Sequence, residues 1–80
     1  MNLLDVKIGQ AVIIKDLNIK DIKFKIRLQE LGLFTGSEVC VLKFSPLKQT
    51  LLVKIFNSVF ALKREIASQI EVEQCKKFLL

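Results

Sequence analysis

The sequence predicts a mainly β fold in which five short strands form a small, strongly bent sheet that closes into a barrel, with one short helix inserted after the first strand. Short runs of β-branched and alternating apolar residues recur between turn-forming residues, which is typical of strands. One segment instead has apolar residues at helical spacing. The chain has only 80 residues, and closure would remove sheet edges that so small a domain could not cover.

The first strand and the helix are marked by their boundaries. Gly9 is predicted to form an entry turn before a strand over residues 11–15. Asp21 is a predicted N-cap, because its carboxylate can accept the free N–H groups of the first helical turn. Three apolar residues at i, i+4 and i+7 form one stripe on the helix: Phe24, Leu28 and Leu31. Gly32 stands where a left-handed C-cap is wanted, and a residue with a Cβ would be strained there.

Three strands are predicted after the helix, over residues 38–44, 51–56 and 59–62. Gly36 turns the chain into the first of them. A connector at residues 45–49 joins the first two, and Pro46 fits there because proline cannot donate to a strand ladder. The dipeptide Asn57-Ser58 joins the last two, with Asn57 supplying the positive φ that such a hairpin needs.

The end of the chain predicts one or two helical turns over residues 63–68 and a last strand over residues 70–72. We expect a single domain over residues 1–80, with a core at about 4–72 and a C-terminal tail at 73–80. The tail ends in Phe78-Leu79-Leu80. Three alternatives stay open for it, namely docking on the barrel, weak self-association and disorder.

Composition favours a reduced, cytoplasmic protein. Thirteen basic against eight acidic side chains give a net charge of +5, which suits an anionic surface or an acidic partner, although scattered lysines are also typical of a solvated surface. No apolar run reaches the roughly 18–20 residues that span a bilayer, and the start lacks the pattern of a signal peptide. Two cysteines, Cys40 and Cys75, are too few for a disulfide framework.

The chain lacks the residues and motifs of common enzymes. It has no histidine, tryptophan or tyrosine, so the usual general base and the commonest transition-metal ligand are missing. The two glycine-rich phosphate-binding signatures, GxxxxGK[ST] and GxGxxG, do not occur. A thiol nucleophile needs a neighbouring base or a helix N-terminus, and the sequence shows none beside either cysteine. The prediction is a binding module without catalytic activity and without a cofactor.

Three pieces of sequence occur in a defined order. They are Leu4 with Gly9; Arg27-Leu28-x-x-Leu31-Gly32-Leu33-x-x-Gly36 followed by Val39-x-Val41; and Ala61-Leu62-Lys63 followed by Ala67, Ile70 and Val72. Together they resemble the FeoA family, small cytoplasmic accessory proteins of bacterial ferrous iron uptake. The resemblance covers about residues 4–72. It implies an SH3-like barrel, in agreement with the strands inferred above.

The resemblance implies a partner rather than a reaction. It suggests a non-enzymatic accessory protein that binds the cytoplasmic part of FeoB, a membrane ferrous-iron transporter with a GTP-binding domain, and that lies at the inner membrane through this partner. The chain departs from the family pattern at two turns: Pro46 comes early in its connector, and Asn57 stands where glycine is common. Contacts through residues 45–49 therefore do not carry over closely from the family.

Residues 45–49 and their flank are the predicted partner surface, because apolar side chains at a loop tip are hard to explain by folding. Its residues are Phe44, Pro46, Leu47 and Lys48. Phe44 is also a candidate core residue, as is Phe34, which could plug the barrel. Lys43, Lys48 and Lys54 form either a basic flank or a solvated face.

Two rival functions stay open at this point. One is a nucleic-acid-binding SH3-like module, suggested by the charge of +5 and by phenylalanines on short strands. Against it, the phenylalanines fall on predicted core faces and no three basic residues are consecutive. The other is a metal-binding regulatory domain, for which oxygen ligands such as Asp16, Asp21 or Glu38 would have to serve, although their spacing shows no ligand pattern.

Overall fold

The computed structural model describes residues 1–75, and the predicted apolar end of the tail lies outside the described residues. The strands are β1 (Ala11–Leu17), β2 (Glu38–Phe44), β3 (Thr50–Ile55), β4 (Ser58–Lys63) and β5 (Ile70–Gln74). The helices are α1 (Ile22–Glu30) and α2 (Arg64–Ser68), with short 3-10 turns at Leu3–Asp5 and Pro46–Lys48. Neither α1 nor α2 has the length and apolar character needed to cross a membrane.

The strands form one antiparallel sheet in the order β4-β3-β2-β1-β5. The predicted mainly β fold with a helix after the first strand is therefore confirmed. Closure of the sheet into a barrel is not confirmed. The first and last strands of this order, β4 and β5, do not pair with each other, so the sheet is open. The free edge of β5 gives a physical reason, because the N-terminal residues Met1 and Asn2 already pair with it.

The core lies on one side of the sheet and follows the alternation of the strands. Val39 and Val41 of β2 are fully buried, as are Val12 and Ile14 of β1. The buried residues of β3 are Leu51, Val53 and Ile55. The register shifts between Ile14 and Asp16 and again between Val41 and Lys43, and such bulges increase the local bend and twist of a strand.

Helix α1 begins as predicted but packs on the sheet with a shorter stripe. The Asp21 carboxylate accepts a hydrogen bond of 3.2 Å from the Phe24 N–H. Leu28 is buried and Phe24 packs against the core, but Leu31 is 48% exposed, so its place in the predicted stripe is wrong. The reason is that α1 ends before Leu31, and the chain then turns so that Leu33 is buried instead, its N–H bonding to Leu28 O at 2.9 Å.

The tight turns rely on positive backbone φ angles. The glycines at turns all have one: Gly9 (86°), Gly32 (107°) and Gly36 (95°). In the β3–β4 hairpin, the left-handed residue is Phe56, with φ of 55°, and the prediction of positive φ at Asn57 is wrong. Strand β3 ends at Ile55, one residue earlier than predicted, so Phe56 becomes the first loop residue and takes the conformation that the hairpin requires.

Candidate protein-interaction loop

Residues 45–49 form a loop between β2 and β3 whose base is closed by short hydrogen bonds. The Ser45 N–H donates to Thr50 O at 2.8 Å, and the Thr50 N–H donates to Ser45 Oγ at 2.8 Å. Inside the loop, the Lys48 N–H donates to Ser45 O at 2.9 Å. These three bonds fix the ends of the loop relative to each other, so the tip extends from a defined base.

The tip of the loop has a strained backbone and an exposed apolar side chain. Leu47 and Lys48 have φ of 61° and 54°, the left-handed region that residues with a Cβ seldom occupy. Each such residue costs about 1–3 kcal/mol and persists only where its surroundings hold it. The Leu47 side chain is 83% exposed, the largest exposure among the large hydrophobic residues of the described chain. The stability of the fold therefore explains neither the left-handed backbone at Leu47 and Lys48 nor the exposure of the Leu47 side chain.

Contacts from distant segments hold the tip in place. Arg64, the first residue of α2, donates from Nη1 to Leu47 O at 3.0 Å and from its backbone N–H to Gln49 O at 2.9 Å. Lys48 Nζ donates to Leu4 O at 3.1 Å, in the N-terminal 3-10 turn. The loop is thus tied to both α2 and the N-terminal turn, and the Leu47 side chain is presented from a fixed backbone.

The structure divides the four predicted contact residues into two groups. Phe44 is half-buried against the core, and the Lys48 Nζ lies 4.7 Å from the centre of its ring, which is a cation–π distance. These two side chains contact each other and stabilise the loop, although Lys48 itself is exposed. Pro46 and Leu47 also lie at the surface and are the apolar pair at the tip.

Other residues singled out from the sequence lie elsewhere. Phe34, expected to plug the barrel, is 45% exposed after the end of α1. Lys43 and Lys54 are exposed on the outer face of β2 and β3. Asp21 is engaged as the cap of α1. Within residues 1–75, no three histidine, cysteine, aspartate or glutamate side chains are grouped closely enough to hold a metal ion.

Arg64 is the residue of the candidate loop that sequence reasoning missed. It lies 17 positions from Leu47 along the chain, and an exposed arginine at the start of a short helix gives no sequence signal of such a contact. The only available hint is that Arg64 directly follows Ala61-Leu62-Lys63, one of the three characteristic pieces of the sequence.

A model of the FeoA domain matches residues 1–74. The chain belongs to the FeoA family. FeoA proteins are small SH3-like accessory domains rather than a known enzyme family, and iron transport appears in the descriptions of the structural neighbours. The match extends through β5, two residues beyond the core boundary that the sequence suggested.

Solved FeoA structures are similar to this chain over most of its length. FeoA from Chlorobium tepidum superposes with a TM-score of 0.87 at 26% identity, covering 95% of this chain and 71% of that one. Iron(II) transport protein A from Clostridium thermocellum superposes with a TM-score of 0.83 at 28% identity, covering 92% of this chain and 45% of that one. The zinc complex of Stenotrophomonas maltophilia FeoA superposes with a TM-score of 0.78 at 25% identity, covering 91% of this chain and 89% of that one. That protein is described as an SH3 domain protein suggested to act as a ferrous iron transport activating factor. No curated protein matches the sequence.

Proposed function

We propose that this FeoA-family chain is a non-enzymatic accessory protein of ferrous iron transport that binds the cytoplasmic part of a FeoB-type membrane transporter. Leu47, with Pro46 beside it, is the central contact. The observation that carries this proposal is the strained, exposed tip of the 45–49 loop. Backbone strain of this kind is concentrated at functional sites, and an exposed leucine on a rigid loop can enter a pocket of a partner with little further loss of conformational entropy.

Family membership gives the partner class, and the loop gives the contact. Transporter-associated accessory proteins need an exposed recognition element rather than a catalytic centre, and an apolar anchor surrounded by polar groups is typical of binding hot spots. Arg64 and Lys48 surround Leu47, and both are held by hydrogen bonds to backbone oxygens. In this proposal they position the anchor and keep water-exposed charge at the rim of the contact. The protein acts in the cytoplasm and reaches the membrane only through the transporter.

A binding titration against the transporter tests the proposal. The transporter of the same organism, reconstituted in nanodiscs, is titrated with the full chain, and Leu47→Asp is expected to weaken binding at least about tenfold, the effect of losing a hot-spot side chain. Ile8→Asp is the matched control, because Ile8 is also an exposed apolar residue, at 62%, in a different turn. Binding of both variants should be compared after their thermal midpoints have been shown to equal that of the parent chain.

Two results would overturn the proposal. One is the absence of saturable binding by the parent chain together with normal ferrous iron uptake after deletion of its gene. The other is an equal loss of affinity in Leu47→Asp and Ile8→Asp, since the contact would then be spread over the surface rather than centred on the loop.

A further inference from the structure

The two edge strands of the sheet differ in how far the rest of the chain covers them. At the β5 edge, Asn2 forms a β-bridge with Glu71, and the Val72 N–H donates to Met1 O at 2.8 Å. The β1–β5 pairing also contains a bulge. At the β4 edge, residues 58–62 make no hydrogen bond to any described residue outside the β3 ladder. One edge is therefore capped by the N-terminal segment and the other is open.

The alternation of hydrogen-bonded and non-bonded pairs in the β3–β4 hairpin shows which backbone N–H and C=O groups point outward from the open edge. The Arg64 N–H donates to Gln49 O at 2.9 Å, which makes these two residues a hydrogen-bonded pair that continues the register of β3 and β4. Bonded and non-bonded pairs alternate in an antiparallel ladder. Val59, opposite Lys54, and Ala61, opposite Leu52, therefore belong to non-bonded pairs, and their N–H and C=O groups point away from β3.

Strand β4 lacks two of the features that usually protect an edge, a bulge and a proline. It pairs with β3 without interruption from Ser58 to Lys63, so it contains no bulge, and it contains no proline. Proteins commonly protect edge strands with such interruptions or with charged side chains, and the only charged residue of β4 is Lys63 at its end. Val59 is 54% exposed and Ala61 is also exposed. The edge is thus a flat, accessible template for another strand.

Lysines outnumber carboxylates on the face beside this edge, where Glu38 lines the same pocket as Lys54. Side chains of paired residues share a face of a sheet, so Lys54 lies next to Val59, and Lys63 follows Ala61 on the same side. Lys43 is opposite Leu52, which is opposite Ala61, and so it belongs to this face as well. All three lysines are exposed. This outer face is opposite the core, since the intervening residues Val53 and Leu62 are buried.

We propose that β4 accepts an extended segment of an acidic partner protein as a sixth strand. The backbone of the segment pairs with Val59 and Ala61, and its carboxylates lie against Lys43, Lys54 and Lys63. Strand addition of this kind takes its affinity from main-chain hydrogen bonds and its specificity from alternate side chains. A second copy of the chain fits less well, because a two-fold β4–β4 pair would bring a second set of the same lysines onto one continuous face.

This site is separate from the tip of the 45–49 loop, and the inference holds whichever protein supplies the segment. Because the natural segment is not identified, the probe is an acetylated eight-residue peptide of alternating valine and glutamate, titrated into the full chain at low salt. Amide hydrogen exchange, followed by NMR, is the readout. At saturation the Val59 and Ala61 amides should exchange at least about tenfold more slowly, whereas the Val53 amide, already in the β3–β4 ladder, should change little.

Two pairs of variants separate the backbone from the charge. Ala61→Pro removes an N–H that points outward and leaves the β3 ladder intact, which is where a strand tolerates proline; it should weaken peptide binding at least about tenfold. Ala61→Ser, which keeps the N–H, is its control. Lys54→Glu with Lys63→Glu should abolish binding of the glutamate peptide and create binding of an alternating valine–lysine peptide. Lys23→Glu with Lys25→Glu, the same charge change on α1, should leave both peptides unaffected.

Several results would overturn the inference. One is unchanged exchange of the Val59 and Ala61 amides at about 1 mM peptide, since a dissociation constant above that concentration is too weak for a specific contact. Another is equal binding of the valine–lysine peptide to the parent chain. The third is full binding of the valine–glutamate peptide by a folded Ala61→Pro variant. Slowed exchange of the same amides that depends on protein concentration alone would assign the edge to a second copy instead. Leu47→Asp should bind the peptide normally, so failure of this inference and failure of the transporter contact can be told apart.

Discussion

The hydroxyl of Ser37 donates a hydrogen bond of 2.8 Å to the carbonyl oxygen of Gly32 across the turn from α1 into β2. Ser37 Oγ also accepts from the Phe34 N–H at 3.4 Å. Ser37 is the one buried polar residue among the described residues. Its backbone C=O accepts from the Ile14 N–H at 2.9 Å, so this serine joins the end of the helix, the turn and the first strand.

Ser37→Ala should therefore destabilise the fold by about 1–3 kcal/mol, because it leaves the part-buried Gly32 carbonyl without this donor. Ser68→Ala is a matched control: Ser68 Oγ donates to Glu65 O at 2.7 Å, but at an exposed position, where water can replace the lost bond. Urea denaturation of both variants measures the difference. Equal losses would show that burial of the Ser37 contact adds nothing to its worth.

Gly32→Ala should destabilise the protein through the backbone rather than through a clash. A Cβ at Gly32 would be 3.5 Å from Phe56 Cε2, an ordinary contact, but φ is 107°. We expect a loss of about 1–3 kcal/mol, the range for a residue with a Cβ held in a sparsely populated region. Gln29→Ala, an exposed change inside α1, is the control and should be neutral or slightly stabilising. A neutral Gly32→Ala would mean that the turn can relax to negative φ.

Leu47→Asn should raise the free energy of unfolding by about 0.5–1 kcal/mol, because asparagine tolerates the left-handed region better than leucine does and the exposed side chain contributes little burial. Leu47→Ala is the control, since alanine lacks this tolerance, and its stability should stay within about 0.5 kcal/mol of the parent. Thermal denaturation with heat-capacity analysis checks both. If the asparagine variant is less stable than the alanine variant, the loop is not strained at this position.

Phe56→Asn should likewise stabilise the β3–β4 hairpin by about 0.5–1 kcal/mol, because φ at Phe56 is 55° and asparagine is favoured in such turns. The ring is 73% exposed but lies against Gly32. Equilibrium denaturation of Phe56→Asn and of Phe56→Ala separates the two effects, since alanine removes the ring without favouring positive φ. A large loss in both variants would show that the ring contact outweighs the strain.

Local patterns predicted the parts of the fold that depend on local chemistry. Asp21 predicted the start of α1, and Gly32 and Gly36 predicted the turns into β2, because helix capping and positive φ are set by neighbouring residues. Closure of the sheet was not predictable in this way. It depends on which segment takes the free edge of β5, and that segment is the N-terminal one, which is distant from β5 in sequence.

The errors at single residues have the same origin. Leu31 fits a helical stripe, but the turn after α1 gives its buried place to Leu33. Asn57 is the better left-handed residue, but the register of β3 with β4 assigns that conformation to Phe56. In the candidate loop, the sequence indicated Leu47 as an exposed apolar residue, whereas its strained backbone and its bond to Arg64 could only be seen in three dimensions.

The unequal covering of the two sheet edges has a consequence for stoichiometry. A sheet with two open edges can add strands from both sides and pass from chain to chain without limit, as in heterologous assemblies that do not close. Here the N-terminal residues Met1 and Asn2 already occupy the β5 side. Any strand added at β4 is therefore the last one, and edge-to-edge growth stops at one bound segment per chain.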